Sequence, residues 1–349
     1  MTEVATLEHY LQEWVDDDQT HRADVAVTLN AIAGACCRIS GLIAEGPLAG
    51  ALGAVHGNNM DGDAQKELDL RTNELVISSL QDAPVALLVS EELAEPLEIQ
   101  PGAALNVAID PLDGSSNIDT NISVGTIFSI LPSQTTSNGS GADPILQQGT
   151  HQLAAGYVIY GPQTALVLTV GEGTQIFTLD PRTNDFKLTT TNVQIPEETR
   201  EFAINVSNFH HWDRHVRAYV DDCLEGETGP RKSSYNMRWV ASLVAECHRI
   251  LSRGGIFLYP GDARTGYENG RLRLLYEINP IGWLIEQAGG GATTGSGRVL
   301  ELQPTDIHQR APLIFGSRQE VDRVDRYYSE PHAVGERSPL FSQRGLLRS

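Results

Sequence analysis

Basic residues are scarce in this 349-residue chain: 25 Lys and Arg stand against 45 Asp and Glu, for a formal net charge of −20. Nucleic acid and anionic membranes are bound through basic patches, so neither is expected as a partner. Cysteine is also scarce. Cys36, Cys37, Cys223 and Cys247 show no Cys-x-x-Cys or Cys/His spacing of a zinc site. Cys36, Cys37 and Cys247 fall in helical patterns, and buried, reduced thiols are expected, which fits a reducing cytoplasm. The acidic first 18 residues lack the basic segment and apolar run of a signal peptide, and no stretch approaches the length of a membrane span. A Gly-x-x-x-x-Gly-Lys-Ser/Thr loop is missing, which argues against a P-loop NTPase. So is a Gly-x-Ser-x-Gly turn, which argues against a serine hydrolase elbow. Neither an internal repeat nor a coiled-coil heptad is visible.

What is present is ordinary globular material, 40% hydrophobic, enough for a sizeable core. Val25, Leu29, Ile32, Cys36, Ile39 and Ile43 recur at steps of three and four and predict a long amphipathic helix that Gly46-Pro47 ends. Leu68, Thr72, Leu75, Val76 and Leu80 predict a second helix starting near Gln65. Strands are expected at residues 85–89, 107–109, 123–130, 154–160, 164–170 and 174–179. The Ser/Thr/Gly-rich connection over 132–149 reads as a mobile loop. Further on, 202–206, 256–259 and 272–276 read as strands. Met237, Val240, Val244, Cys247 and Leu251 mark a helix, and Asn279 with Pro280 reads as the start of another. The expectation is a layered α/β protein: an N-terminal subdomain over 1–200, a C-terminal α/β subdomain over 201–335 and a polar tail over 336–349, with no flexible linker.

The chain is organised around Asp110-Pro111-Leu112-Asp113-Gly114-Ser115-Ser116-Asn117. It follows the apolar run Val107-Ala108-Ile109, so two carboxylates emerge at the C-terminal edge of a strand, where open α/β sheets bind ligands. Pro111 stiffens the turn, Gly114 admits close backbone approach, and Ser115 and Ser116 add donors for an anion. Glu91-Glu92 and Glu277 are expected at the ends of two more strands, and Asp63 and Asp69 flank the second helix start. Each acid alone reads as a solvated turn or helix-start charge. Gathered, they would repel by roughly 4 kcal/mol per pair at 4 Å, which is tolerable only around cations. All-oxygen ligation favours Mg²⁺ or Mn²⁺ over zinc. Metal-activated water attacking a phosphate is the chemistry that remains.

These residues resemble the class I fructose-1,6-bisphosphatases. The resemblance extends to Leu88-Val-Ser-Glu-Glu, Gly255-Ile-Phe-Leu-Tyr-Pro, Gly270-Arg-Leu-Arg-Leu-Leu-Tyr-Glu-Ile-Asn-Pro and Asp306-Ile-His-Gln-Arg-Ala-Pro, in that order, and covers roughly residues 28–327. Inositol monophosphatases share the Asp-Pro-Leu-Asp-Gly core. The resemblance implies a stacked αβαβα fold, a homotetramer, and two or more Mg²⁺ per subunit held by Glu91, Asp110, the Leu112 carbonyl, Asp113 and Glu277, with Asp63 sharing a further metal position. It implies that Glu92 and Asp69 orient and deprotonate the attacking water. Asp113, Gly114, Ser115 and Ser116 would bind the phosphate being removed. Asn205 (or Asn208), Tyr259 and Arg271 would hold the sugar and the distal phosphate, with Arg238 reaching in from a neighbouring subunit.

The implied activity is hydrolysis of D-fructose 1,6-bisphosphate, in gluconeogenesis or the Calvin cycle. The alternatives are a sedoheptulose-1,7-bisphosphatase or dual-specificity enzyme, and a non-catalytic metal- or phosphate-binding regulator. The chain departs from many members at Trp239 and Arg271, where those carry Tyr and Lys. Ala104-Leu105 replaces a Lys-Tyr pair that contributes to AMP binding in animal members, so weak or absent AMP inhibition is expected.

Overall fold

The structure, a computed structural model, describes residues 4–15, 21–50, 55–58, 64–133 and 144–330. Asp63, residues 134–143 of the Ser/Thr/Gly-rich connection, and the 336–349 tail lie outside the described residues. The described α-helices are α1 Leu7–Trp14, α2 Arg22–Glu45, α3 Glu67–Leu80, α4 Arg214–Leu224, α5 Leu243–Arg253, α6 Asn279–Gln287 and α7 Arg318–Ser329.

Where apolar spacing turns from helical to alternating, the chain builds an eight-stranded sheet. Its spatial order is Asp185–Thr190, Thr174–Asp180, Thr164–Thr169, Ala154–Tyr160, Val124–Pro132, Leu105–Asp113, Val85–Ser90, Leu97–Glu98. One neighbouring pair is parallel, Val85–Ser90 beside Leu105–Asp113, and the other pairs are antiparallel. Leu105–Asp113 is buried at every position, as a strand covered on both faces must be. A smaller sheet runs in the order Asn236–Met237, Glu201–Ala203, Ile256–Tyr259, Leu313–Gly316, Gly291–Thr293.

The cores show the layering. Ile109, Phe128 and Ile130 pack against Leu29, Ile32 and Ile39 of α2 and Leu68 and Val76 of α3. On the opposite face, Ile127, Tyr157 and Val167 meet Val244 and Cys247 of α5 and Leu284 and Ile285 of α6, which also cover Phe257 and Phe315 of the small sheet. The outer face of that sheet, Phe202, Ile256, Leu258 and Ile314, lies under Val216 and Tyr219 of α4 and Val321 and Val324 of α7. Helices, sheet, helices, sheet and helices thus alternate, and each fully buried large apolar side chain contributes about 1.5–3 kcal/mol.

Five expectations change. The segment at 272–276 is a strand only over Leu272–Arg273; Leu274–Ile278 is a π-helical turn running straight into α6. Asn279 is therefore a buried residue inside a continuous helix rather than an N-cap. Met237 and Val240 are exposed and precede α5, whose N-cap is Ser242; Ala241, at φ 60°, breaks any helix there. The strand predicted at 202–206 ends at Ala203, and Val206 is exposed in a following turn. Finally, α2 with its terminal turn, Arg22–Ala49, is long and apolar enough by composition to cross a membrane. This corrects the expectation that no stretch approaches the length of a membrane span; half of its most apolar window is buried, and α2 contributes many residues to the first core.

Candidate active site

The one parallel pair of strands in the large sheet creates the acidic end of the site. Their register sets Ser90 opposite Ile109, and the Glu91 N–H donates to the Ile109 carbonyl at 3.1 Å, so Glu91 and Asp110 leave the sheet side by side. A bulge follows: Asp110 faces Ile127 but Asp113 faces Gly125, so three steps on one strand match two on the other. Bulges re-aim side chains in this way. Glu277 arrives from the π-helical turn, a geometry often found at functional sites, rather than from the strand end that was expected.

Carboxylate oxygens of Asp110, Asp113 and Glu277 lie within 4.8 Å of one another, and all three residues are buried. At an effective dielectric near 20 that spacing costs about 3–4 kcal/mol per charged pair. Burial, reinforced by the Glu91 charge, pushes the Asp113 carboxyl up to about 7 and Glu277 up to about 8. Asp110 is held well above the ordinary carboxylate range, by burial first and then by Glu91, Asp113 and Glu277. The Glu92 charge raises it a little further.

Arg273 is the counter-charge that the sequence reading missed: its guanidinium lies 3.6 Å from Glu91, and its backbone N–H donates to Glu277. The alternation Arg271-Leu272-Arg273 on a short strand was the available signal. The donor set is all oxygen, mostly anionic and desolvated. That fits a hard divalent cation, whose arrival would relieve the repulsion.

Asp69 sits in the first turn of α3, 3% exposed, accepting from the Lys66 N–H at 2.7 Å. Burial raises its carboxyl to about 6 against the pull of that bond. Among the described residues its other oxygen accepts no hydrogen bond. Lys66, also missed from sequence, reaches the Ser115 carbonyl at 3.1 Å and Asp119 at 2.7 Å, tying α3 to the turn after Asp113. In that turn Gly114 adopts φ 77°, which favours glycine. It leads into a 3₁₀ turn over Ser115–Thr120, with Ser116 exposed. Leu112 is buried, its N–H donating to Asp110 at 2.9 Å. Asp113 is fixed from the far side by α5, whose Val244 N–H lies 3.3 Å from Oδ2. Gly125 permits this close approach, because a Cβ there would lie 2.6 Å from Val244 Cγ1.

A second cleft lies in the C-terminal half. Asn205, Asn208, Tyr259 and Arg271 line it together, with Trp212 and two cleft residues the sequence reading missed, Arg264 and Tyr267. The guanidinium carbons of Arg264 and Arg271 lie 4.7 and 4.8 Å from the Tyr267 ring centroid. Arg264 is ion-paired with Asp262. Asn205 accepts from the Ser207 hydroxyl at 2.6 Å and so caps its own turn. Trp239 stacks on Phe257 and Tyr259.

Arg238 is not among the residues lining this cleft. It follows the edge strand Asn236–Met237, half exposed, 3.4 Å from Glu201. Glu201 also binds Arg253 and Arg249 of α5, and Arg249 pairs with the fully buried Glu246.

Known proteins match this arrangement along its length. The family models described as fructose-1-6-bisphosphatase N-terminal and C-terminal domains match residues 5–191 and 195–329. The chain is 55% identical over 342 residues to fructose-1,6-bisphosphatase class 1 1 of Xanthobacter autotrophicus, covering 98% of this chain and 92% of that one. It is 53% identical to fructose-1,6-bisphosphatase class 1 of Rhizobium meliloti, covering 99% of each. The crystal structure of Leishmania major fructose-1,6-bisphosphatase in holo form superposes with a TM-score of 0.86 at 35% identity, covering 94% of this chain and all of that one. The apo form gives 0.82 at 32% identity.

Proposed function

Because the chain belongs to the fructose-1,6-bisphosphatase family, we propose that it hydrolyses D-fructose 1,6-bisphosphate to fructose 6-phosphate and inorganic phosphate, using divalent cations. The observation that carries this reading is the buried Asp110–Asp113–Glu277 cluster, with Glu91 beside it, at the ends of the parallel strands. Glu91, Asp110, Asp113, Glu277 and the Leu112 carbonyl would hold the cations, with Asp63 at a further position. Mg²⁺ is the preferred ion and Mn²⁺ a substitute, two or more per subunit. Such cations supply charge neutralisation for phosphate oxygens and lower the pKa of water.

The protein's own groups do the rest. The Asp113–Ser116 turn presents backbone and hydroxyl donors to the phosphate on C1. Asp69 and Glu92 take the proton of the attacking water. Water oxygen bonds to phosphorus, the phosphorus–oxygen bond to C1 breaks, and the C1 oxygen leaves as an alcohol after gaining a proton. Asn205 or Asn208, Tyr259 and Arg271 hold the sugar and the distal phosphate. The exposed place of Arg238 beside the edge strand supports its acting on a neighbouring subunit of a homotetramer. The four described cysteines are free and buried, which supports a cytoplasmic enzyme. The subdomain boundary is placed at 200/201, between the last strand of the large sheet and the first of the small one.

The test is phosphate release from a panel of sugar phosphates with and without Mg²⁺. Metal-dependent release from fructose 1,6-bisphosphate, well above that from fructose 6-phosphate, supports the reading. Preference for sedoheptulose 1,7-bisphosphate would reassign the substrate, and no release from any sugar would leave a binding role.

A further inference from the structure

The segment Asp306-Ile-His-Gln-Arg-Ala-Pro stood out in the sequence, and none of the roles above uses it. In the structure it is anchored beside the Glu277 turn: Arg310–Ala311 pairs with Leu272–Arg273, and the Leu274 N–H donates to the Gln309 carbonyl at 2.7 Å. From that base His308 extends two bonds. Its Nε2 lies 3.0 Å from the Leu93 carbonyl and its Nδ1 2.8 Å from the Tyr276 hydroxyl. A carbonyl only accepts, so Nε2 carries the hydrogen. In the neutral imidazole that leaves Nδ1 as acceptor and Tyr276 as donor. Leu93 stands two residues after Glu91 and one after Glu92, and Tyr276 stands one before Glu277. One side chain therefore spans two chain segments whose acids must converge, 215 residues apart from Leu93 and 32 from Tyr276. Tyr276 is wholly buried, so loss of its partner would leave a desolvated hydroxyl and loosen the turn around it.

We propose that His308 is a positioning residue: a strut that fixes the distance between the Glu91-Glu92 segment and the Glu277 turn and so sets the affinity for divalent cations. This rests on the metal-dependent reading above. Outer partners of metal-binding groups typically change affinity by about 10–100-fold when removed.

The test is calorimetric titration of the full chain with Mn²⁺ alone, without sugar phosphate. Tyr276→Phe keeps the ring in the core and deletes one bond; it should weaken Mn²⁺ about tenfold. His308→Leu deletes both and should weaken it further. His308→Gln, whose amide can donate to Leu93 and accept from Tyr276, should recover part of the loss. A merely structural histidine would lower the melting temperature of the metal-free protein without this graded change in affinity. Mn²⁺ affinity within threefold of the parent in both Tyr276→Phe and His308→Leu would overturn the proposal. A parent that binds no Mn²⁺ would overturn the metal-dependent reading and this one with it.

Discussion

The two ends of the site are built on opposite principles. At the acidic end, groups of one sign are forced together by strand ends, a bulge, a π-helical turn and the start of α5, and their charges have too little compensation. In the distal cleft the charged groups and Asn205 already have local partners: Arg264 has Asp262, Arg271 stacks on Tyr267, and Asn205 closes its own turn. Binding at the first end draws on relief of stored repulsion. In the second, a ligand must displace contacts already made, so only the difference appears as affinity. An end under electrostatic strain suits cations, while an end whose groups are already paired suits discrimination between ligands.

The sharpest way to break this contrast is Asp113→Asn, which keeps shape and removes one charge. Turnover should fall on the order of a hundredfold to a thousandfold, measured as phosphate release at saturating Mg²⁺. The metal-free variant should melt no lower than the parent, because repulsion is relieved. Near-parental turnover would remove Asp113 from the site.

In the distal cleft the expected effect is smaller and falls on binding. Arg271→Ala should raise KM for the bisphosphate roughly tenfold or more, since a charge-assisted contact is worth about 1.5–3 kcal/mol. A monophosphate substrate should be far less affected, because it does not use the contact. Equal effects on both would point to packing on Tyr267 instead.

The response to pH falls on stability rather than on turnover. Asp69, Asp113 and Glu277 are raised to about 6, 7 and 8, so the metal-free fold keeps protons that the unfolded chain gives up near pH 4. Raised carboxyl values mean that the contribution of these groups to stability falls as pH rises from about 4 to 8. Calorimetry of the metal-free protein should show the melting temperature declining over that window. Mg²⁺ should restore it most at pH 8, and Asp113→Asn should flatten the slope. The smallest expected response is to AMP. Leu105 is wholly buried and Ala104 offers no donor, while Arg22 is already engaged by Trp14 and Glu172 and Arg38 by Leu75 and Ser79. Hydrolysis should be insensitive to micromolar AMP, and half-inhibition there would show a site built from other residues.

Legibility followed the same division. The Asp110–Asn117 stretch could be read because an apolar run, a proline-stiffened turn and a left-handed glycine act locally. Glu277 was recognised as an acid but placed on a strand, because Leu274, Leu275 and Tyr276 are buried all round and an unbroken apolar run does not distinguish strand from helix. Met237 and Val240 fell into helical step with Val244 by coincidence of spacing, and only the backbone at Ala241 reveals the break. Arg264 and Tyr267 sit in an irregular loop with no period to mark them. His308 acts across 215 residues, a relation no local pattern carries.

One more consequence belongs to α5. Its first turn holds Asp113 through Val244, and its last two turns hold Glu201, and with it Arg238, through Arg249 and Arg253. At 1.5 Å per residue its 11 residues make a rod of about 16 Å. Heredity acts on this rod as one trait. A substitution that slides it by an ångström lengthens the bond at Asp113 and the ion pairs at Glu201 in the same step, so any movement of α5 changes the acidic end and the outward edge together. Sequence change that retunes one without the other has to leave the rod in place, acting through the turn at Gly114, the strand at Asn236 or the side chains of Arg249 and Arg253.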